Sequence, residues 1–322
     1  MKRKVIISIL WFTLSILFMV IGSELFLRFF YQNELKIQND ERNLTYQYDK
    51  VLGWFPKAKS SIYISASKKV LVKHNKYGFR DREHDVKQKP RIMFIGDSFV
   101  WGYDVDQEER FTENLQKLIP DWEVLNLGVS GYGTDQSYLL LQQEFNFYLP
   151  EIIVLIISNN DRGDNTTNLR YKGYYKPFFQ EENGQLILKG IPVRKSMKYY
   201  AQQYPSVFGS YLIRAVVLSY SLLTEPAVHV TDPTKSLILE IKKYVNKQGA
   251  VFFIGFQYDD AELESYCREI EISYVKFPEA DQYDDFGHHW TAEGHSYVSN
   301  QIFRLLSAAN VLQKKQFSQN SN

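Results

Sequence analysis

The stretch Arg91-Ile92-Met93-Phe94-Ile95-Gly96-Asp97-Ser98-Phe99-Val100 decides the fold. Ile92 to Ile95 is a short, apolar, β-prone run, and Gly96 ends it, as happens when a strand buried on both faces stops at a turn. Such strands build parallel α/β sheets, in which functional groups gather at the carboxyl ends of the strands. Ser98 stands at that position and is a candidate nucleophile. The competing reading is structural: Asp97 or Ser98 caps the next helix, as Asp and Ser commonly do. The tripeptide alone favours the cap, so the rest of the chain must arbitrate.

Outward from this stretch the same rhythm repeats. A helix near 107–118 sets Phe111, Leu115 and Leu118 at helical spacing, a strand covers 124–126, and a helix covers 135–146. Glu151 to Ile157 contains the continuous apolar run of a central strand. The rhythm resumes with a helix near 233–247, a strand at 251–255, a helix near 260–270 and a strand at 273–277. Strands alternating with helices predict an α/β fold with a central parallel sheet. Between Arg162 and Leu223 the alternation stops. There Glu182-Asn183-Gly184 separates two apolar runs, a hairpin signal. This segment reads as a cap inserted at about 162–223. Its aromatic residues Tyr171, Tyr174, Tyr175, Phe178 and Phe179 could stack on sugar rings or take an acyl chain, or simply pack.

At the N-terminus, Met1-Lys2-Arg3-Lys4 precedes Val5 to Gly22, an apolar stretch long enough to cross a bilayer as a helix. A secretory signal is the rival, but the run exceeds the usual apolar core of a signal and no Ala-x-Ala site follows. The preferred reading is an uncleaved single-pass anchor. The positive-inside bias makes its N-terminus cytoplasmic and the remainder extracytoplasmic. The plan is a basic tip and anchor at 1–32, a stem and N-terminal extension at 33–74, the α/β domain at 75–313 and a disordered tail at 314–322.

Composition narrows the function. Among 322 residues, 38 Lys and Arg balance 37 Asp and Glu, which gives no electrostatic footprint for nucleic acid. The single Cys267 excludes an internal disulfide and a multi-cysteine zinc site. Function must therefore come from a site.

Four signals fall in loops of the α/β pattern. Gly96-Asp97-Ser98 is followed by Asn126-Leu127-Gly128-Val129-Ser130-Gly131-Tyr132-Gly133, whose backbone N–H groups can approach a substrate closely. Ser158-Asn159-Asn160-Asp161 offers side-chain amides to a developing oxyanion. Asp284-Asp285-Phe286-Gly287-His288-His289-Trp290-Thr291-Ala292-Glu293-Gly294-His295 supplies carboxylate and imidazole. Acyl transfer needs a hydroxyl, a base, a group that orients the base, and oxyanion donors. All are present.

In this order the blocks resemble the SGNH hydrolases, or GDSL-type esterases and acylhydrolases, over about residues 75 to 310. Tyr77-Gly78-Phe79-Arg80 looks like membrane-tethered bacterial members. The resemblance implies a three-layer, flavodoxin-like α/β sandwich with Ser98 as nucleophile. It implies an oxyanion hole from the Ser98 N–H, Gly131 and Asn160, and requires no cofactor or metal. Ser158 departs from the family's Gly-x-Asn-Asp. In the last block, Asp-x-x-His spacing selects Asp285 with His288, whereas His-Trp followed by Gly294 selects His289, with Asp285 four residues back. His289 is preferred, with His288 as the alternative and Asp285 as carboxylate on either choice.

The implied activity is that of a serine esterase cleaving short-chain, O-acetyl-type esters on a cell-envelope carbohydrate or lipid. The same triad serves an O-acyltransferase acting on an extracellular glycan, and a catalytically degenerate tethered domain is the third possibility. A metal site among Asp284, Asp285, His288, His289 and His295 is disfavoured, because adjacent histidines seldom face one ion and no His-Glu-x-x-His is present. An α/β-hydrolase is disfavoured by the lack of Gly-x-Ser-x-Gly. His295 reads as a structural residue of the last helix.

Overall fold

A computed structural model describes residues 2–35, 45–170, 173–224, 226–284 and 287–313. The tail at 314–322, stem residues 36–44, Tyr171 and Asp285 lie outside these described residues. The apolar N-terminal run forms a helix, α1 (Lys2–Phe30), and its stretch Arg3–Phe30 is long and apolar enough to cross a membrane. Two antiparallel hairpins follow, β1 (Tyr46–Asp49) with β2 (Gly53–Pro56), and β3 (Ser61–Ser65) with β4 (Lys69–Lys73). β1 lies within the segment 33–74 read as stem and N-terminal extension, and its Tyr46 is fully buried, so the extension is already folded at β1.

The sheet begins with β5 (Arg91–Ile95), which leads into α2 (Ser98–Trp101), α3 (Phe111–Leu118), β6 (Glu123–Asn126), α4 (Thr134–Tyr148) and β7 (Ile152–Ile157). A short α5 (Asp161–Asp164) opens the inserted segment. The segment holds β8 (Leu169–Arg170), β9 (Tyr174–Tyr175), β10 (Phe178–Glu182), β11 (Gln185–Lys189), α6 (Met197–Gln203) and α7 (Tyr211–Thr224). Then come α8 (Thr234–Lys247), β12 (Val251–Phe256), α9 (Ala261–Glu269), β13 (Tyr274–Lys276) and α10 (Ala292–Ala308).

Five strands pair in parallel in the order β13-β12-β7-β5-β6. From β5 the chain crosses to β6 on one side and then to β7 on the other. The carboxyl ends of β5 and β7 therefore flank a topological switch point, where open α/β sheets open a crevice. Alternate strand residues face opposite layers. Ile92, Phe94, Val154 and Ile156 pack with Phe111 and Leu115 of α3 and Val298 and Ile302 of α10. Met93, Ile95, Ile153 and Leu155 pack with Leu139 of α4, Leu237 and Ile241 of α8, and Leu263 of α9. The result is the expected three-layer sandwich with a central parallel sheet.

The inserted segment carries the expected hairpin, with Asn183 and Gly184 both at positive φ (52° and 75°), as a tight two-residue turn requires. Its aromatics Tyr174, Tyr175, Phe178 and Phe179 are buried. Tyr174 meets the edges of Trp54 and Tyr199, so these four rings pack inward instead of offering a stacking platform to solvent. A fully buried ion pair between Lys176 and Asp135 fastens the segment to the start of α4, and the Lys176 ammonium also donates to the carbonyls of Asp164 and Thr167 at 3.0 and 3.2 Å. Helix α7 has no counterpart in the sequence reading, which treated its residues only as part of the cap.

Candidate active site

At the Asp97-Ser98 turn the capping falls to Asp97. Asp97 caps α2, its Oδ1 accepting from the Phe99 N–H at 3.0 Å, and this leaves the hydroxyl of Ser98 at the first helical position without a capping task. His289 Nε2 lies 2.8 Å from Ser98 Oγ, within reach for proton transfer. His288, its neighbour in an irregular loop, is exposed and lies 3.3 Å from the Tyr283 carbonyl through Nδ1. Thus the structure brings Ser98 together with His289, and not with His288.

The imidazole of His289 is held by packing. Tyr103 stacks on it at 4.5 Å and Phe99 lies at 5.2 Å. Gly287 covers its edge so closely that a Cβ there would stand 2.7 Å from His289 Cε1, and its φ of +87° favours glycine independently. The neighbouring Trp290 is fully buried against Phe99, Phe111 and Phe277, which pins the loop to the sheet. On the far side of the ring, Asp104 Oδ2 lies 3.7 Å from His289 Nδ1. Asp104 is buried, sits at a positive φ of 65°, and accepts from the Ser67 N–H at 3.2 Å through its other oxygen. Among the described residues its Oδ2 has no hydrogen-bond donor.

The glycine-rich loop is pressed onto α2. A Cβ on Gly128 would stand 2.4 Å from the Trp101 nitrogen, so only glycine fits this approach. Gly131 is buried at φ +85°, between two residues tied down by the N-terminal hairpin. The Ser130 N–H donates to the Tyr46 hydroxyl at 3.3 Å, the Trp54 indole donates to the Ser130 carbonyl at 3.3 Å, and the Tyr132 hydroxyl donates to the Trp54 carbonyl at 2.5 Å. Arg80, from the Tyr77-Gly78-Phe79-Arg80 motif, serves the other end of α2. Its guanidinium donates to the carbonyls of Trp101 and Gly102 and to that of Val105 at 2.6 Å, compensating the helix's unpaired C-terminal acceptors.

At the end of β7, the Asn160 amide donates to Asp164 Oδ2 at 2.7 Å, which fixes the plane of its side chain. The Ser158 that departs from the family pattern occupies a defined place. Its hydroxyl lies 2.7 Å from Asp97 Oδ2 and 2.9 Å from Asp161 Oδ2. One hydroxyl hydrogen cannot satisfy two carboxylates. Burial, together with the charge of Asp97, accordingly pushes the Asp161 carboxyl up to about 7, and burial raises Asp97 as well. His295 lies beneath the site, its Nδ1 accepting from the Phe111 N–H at 3.2 Å; burial pushes its pKa down to about 3, so it stays neutral.

Sequence reasoning missed Asp104 and the task of Arg80. Asp104 carries no spacing signal, being one of several acids, with Asp106, Glu108 and Glu109, in the stretch after Gly102. Arg80 did stand inside a recognised motif, and its burial gives that motif a physical reason. Asp285 lies outside the described residues.

No protein-family model matches the sequence. No curated protein matches it either. Solved structures do. The psychrotrophic esterase EstA from Pseudoalteromonas sp. is 10% identical, with 69% of this chain and 100% of that one covered at a TM-score of 0.42. A member of the lipolytic protein G-D-S-L family from Veillonella parvula is 12% identical, with 67% and 98% covered at 0.41. The family 3 carbohydrate esterase of Clostridium thermocellum is 14% identical, with 70% and 98% covered at 0.38. Likenesses this distant leave the reading of this chain to its own residues.

Proposed function

We propose that this chain is a membrane-tethered serine esterase of the SGNH type. The observation that carries the reading is the 2.8 Å contact between His289 Nε2 and Ser98 Oγ at the carboxyl end of a central parallel strand. In the proposed reaction, His289 takes the Ser98 proton as Oγ attacks an ester carbonyl. The N–H groups of Ser98 and Gly131 and the amide of Asn160 receive the oxyanion. His289 then returns the proton to the leaving alcohol, and water, deprotonated by the same imidazole, releases the acid. Asp285 holds the Nδ1–H by family resemblance, and the buried charge of Asp104 on that side favours the imidazolium that forms.

For the substrate, an O-acetylated cell-envelope polysaccharide is the first choice and a lipid ester the second. Support comes from the membrane tether, with α1 uncleaved and the domain extracytoplasmic. Transfer of the acyl group to a glycan uses the same residues, and the formed Ser98–His289 contact speaks against a degenerate site. The test uses the full chain in detergent. Hydrolysis of p-nitrophenyl acetate and labelling of Ser98 by a fluorophosphonate are expected, both lost in Ser98→Ala. Hydrolysis unchanged by that substitution overturns the proposal. Product analysis with an added sugar acceptor separates hydrolysis from transfer.

A further inference from the structure

Away from the site, the large apolar side chains left in water are not evenly spread. Beyond α1 they concentrate in the segment from Ile191 to Leu223. Within α7, Ile213, Val216, Tyr220 and Leu223 are exposed, Val216 and Tyr220 at 61% and Leu223 at 83%. Spacings of three, four and three residues put these four on one face of the helix. Off this stripe, Val217 and Leu218 pack on Met197, Ala201 and Phe208, while Leu222, on the far side of the helix, is also exposed, at 48%. An apolar stripe left exposed beside a packed one is the pattern of a helix lying in a membrane interface. At 14 residues, α7 is too short to cross the hydrocarbon itself.

The position of α7 says what covers the stripe. Its N-terminus is capped from α1: the Glu24 carboxylate accepts from the Ser210 hydroxyl at 2.8 Å and from the N–H groups of Tyr211 and Leu212 at 3.0 and 2.8 Å. Arg28, one turn further along α1, donates to Glu24 and to the Gly209 carbonyl at 2.8 Å. The eighteen residues from Val5 to Gly22, apolar but for Ser8, Thr13 and Ser15, rise about 27 Å as a helix, close to the thickness of the hydrocarbon core. Glu24 and Arg28 therefore fall at its edge. Tyr211 lies between Arg28 and Arg214, whose guanidinium carbons stand 4.8 and 4.4 Å from its ring centre, and such Tyr–Arg groupings belong at the headgroup level.

We infer that α7 is a second membrane contact, lying in the lipid interface at the C-terminal end of α1 with Ile213, Val216, Tyr220 and Leu223 in the acyl boundary. This contact is separate from the hydrolase reading and depends only on α1 spanning the bilayer. It makes the inserted segment a footplate that sets the height and tilt of the catalytic domain over the membrane. It also gives Glu24 a structural task that a cleaved signal segment would remove.

The test places spin labels on the full chain in vesicles of phosphatidylcholine with phosphatidylglycerol, at Val216→Cys and Leu223→Cys. Phe18→Cys on α1 serves as the lipid reference and the exposed Lys243→Cys on α8 as the aqueous one. Cys267 is buried and takes no label. Collision with oxygen, which partitions into lipid, is compared with collision with a water-soluble nickel chelate. Labels at 216 and 223 are expected to show an oxygen-to-nickel ratio severalfold above that at 243 and close to that at 18. Ratios matching 243 overturn the inference, and so does spin–spin broadening between copies at 216, which would make a second chain the occupant. A nickel-rich label at 18 removes its premise, leaving the esterase reading untouched.

Discussion

The two halves of the candidate site are built on different principles. Ser98 stands on a regular strand-turn-helix. β5 ends, Asp97 caps α2, and Gly128 and Arg80 brace the short helix from two sides. His289 stands in an irregular loop between β13 and α10, held by a stacked Tyr103, a close Gly287 and the anchoring of Trp290. The contrast teaches that Ser98 is fixed by backbone geometry and His289 by side-chain packing. Substitutions should therefore injure the two halves differently, except where they act as one unit.

The largest effect tests that unity. Ser98→Ala and His289→Ala should each lower kcat/KM on the order of 10⁴-fold or more, and the double variant should be no worse than either. Additive losses would show two independent contributions and break the pairing. Next comes the orientation of the imidazole. Asp104→Asn should lower kcat by roughly 10²-fold with KM unchanged, since a neutral amide no longer stabilises the imidazolium. If Asp285→Asn costs as much and Asp104→Asn nothing, the base is oriented by its own loop alone.

Two glycine substitutions sharpen the comparison directly. Gly128→Ala meets backbone at 2.4 Å and should cost on the order of 3 kcal/mol of stability, read as a fall in Tm. Gly287→Ala meets the His289 ring at 2.7 Å, which can shift, so stability should fall by only about 1–2 kcal/mol while kcat falls roughly tenfold. The reverse ranking would contradict the assignment of backbone control to the serine half.

The smallest effect concerns protons under the serine half. Asp161 holds its proton up to about pH 7 in the fold, whereas an unfolded Asp releases it near pH 4. Between those values the native state binds more protons than the unfolded one, so this group's contribution to stability falls as pH rises. His295, depressed to about 3, acts oppositely: the unfolded state gains a proton first, and stability is lost as pH falls below about 6.5. In Asp161→Asn the decline of Tm between pH 4 and 7 should flatten relative to the parent chain. An unchanged pH profile would mean that Asp97 and Asp161 do not share a proton across Ser158.

Much of this was legible in sequence for a physical reason. Parallel strands buried on both faces announce themselves as apolar runs, and β5, β6, β7, β12 and β13 all lie within a residue or two of their expected places. The Asn183-Gly184 turn was readable because only residues tolerant of positive φ fit it. Helix α7 was not, because an apolar run in an insertion carries no periodicity clear enough to separate helix from buried strand. Nor was Asp104, whose meaning comes from a ring 185 residues away in the chain.

By itself, then, the sequence determined the alternating α/β order, the apolar N-terminal helix and the serine at a strand end, all set by local pattern and backbone chemistry. Only the tertiary structure decided which of two adjacent histidines meets Ser98, which buried acid faces its far nitrogen, and which way the cap's aromatics point. Those choices depend on contacts between segments far apart in the chain, and such contacts leave no periodic trace in sequence.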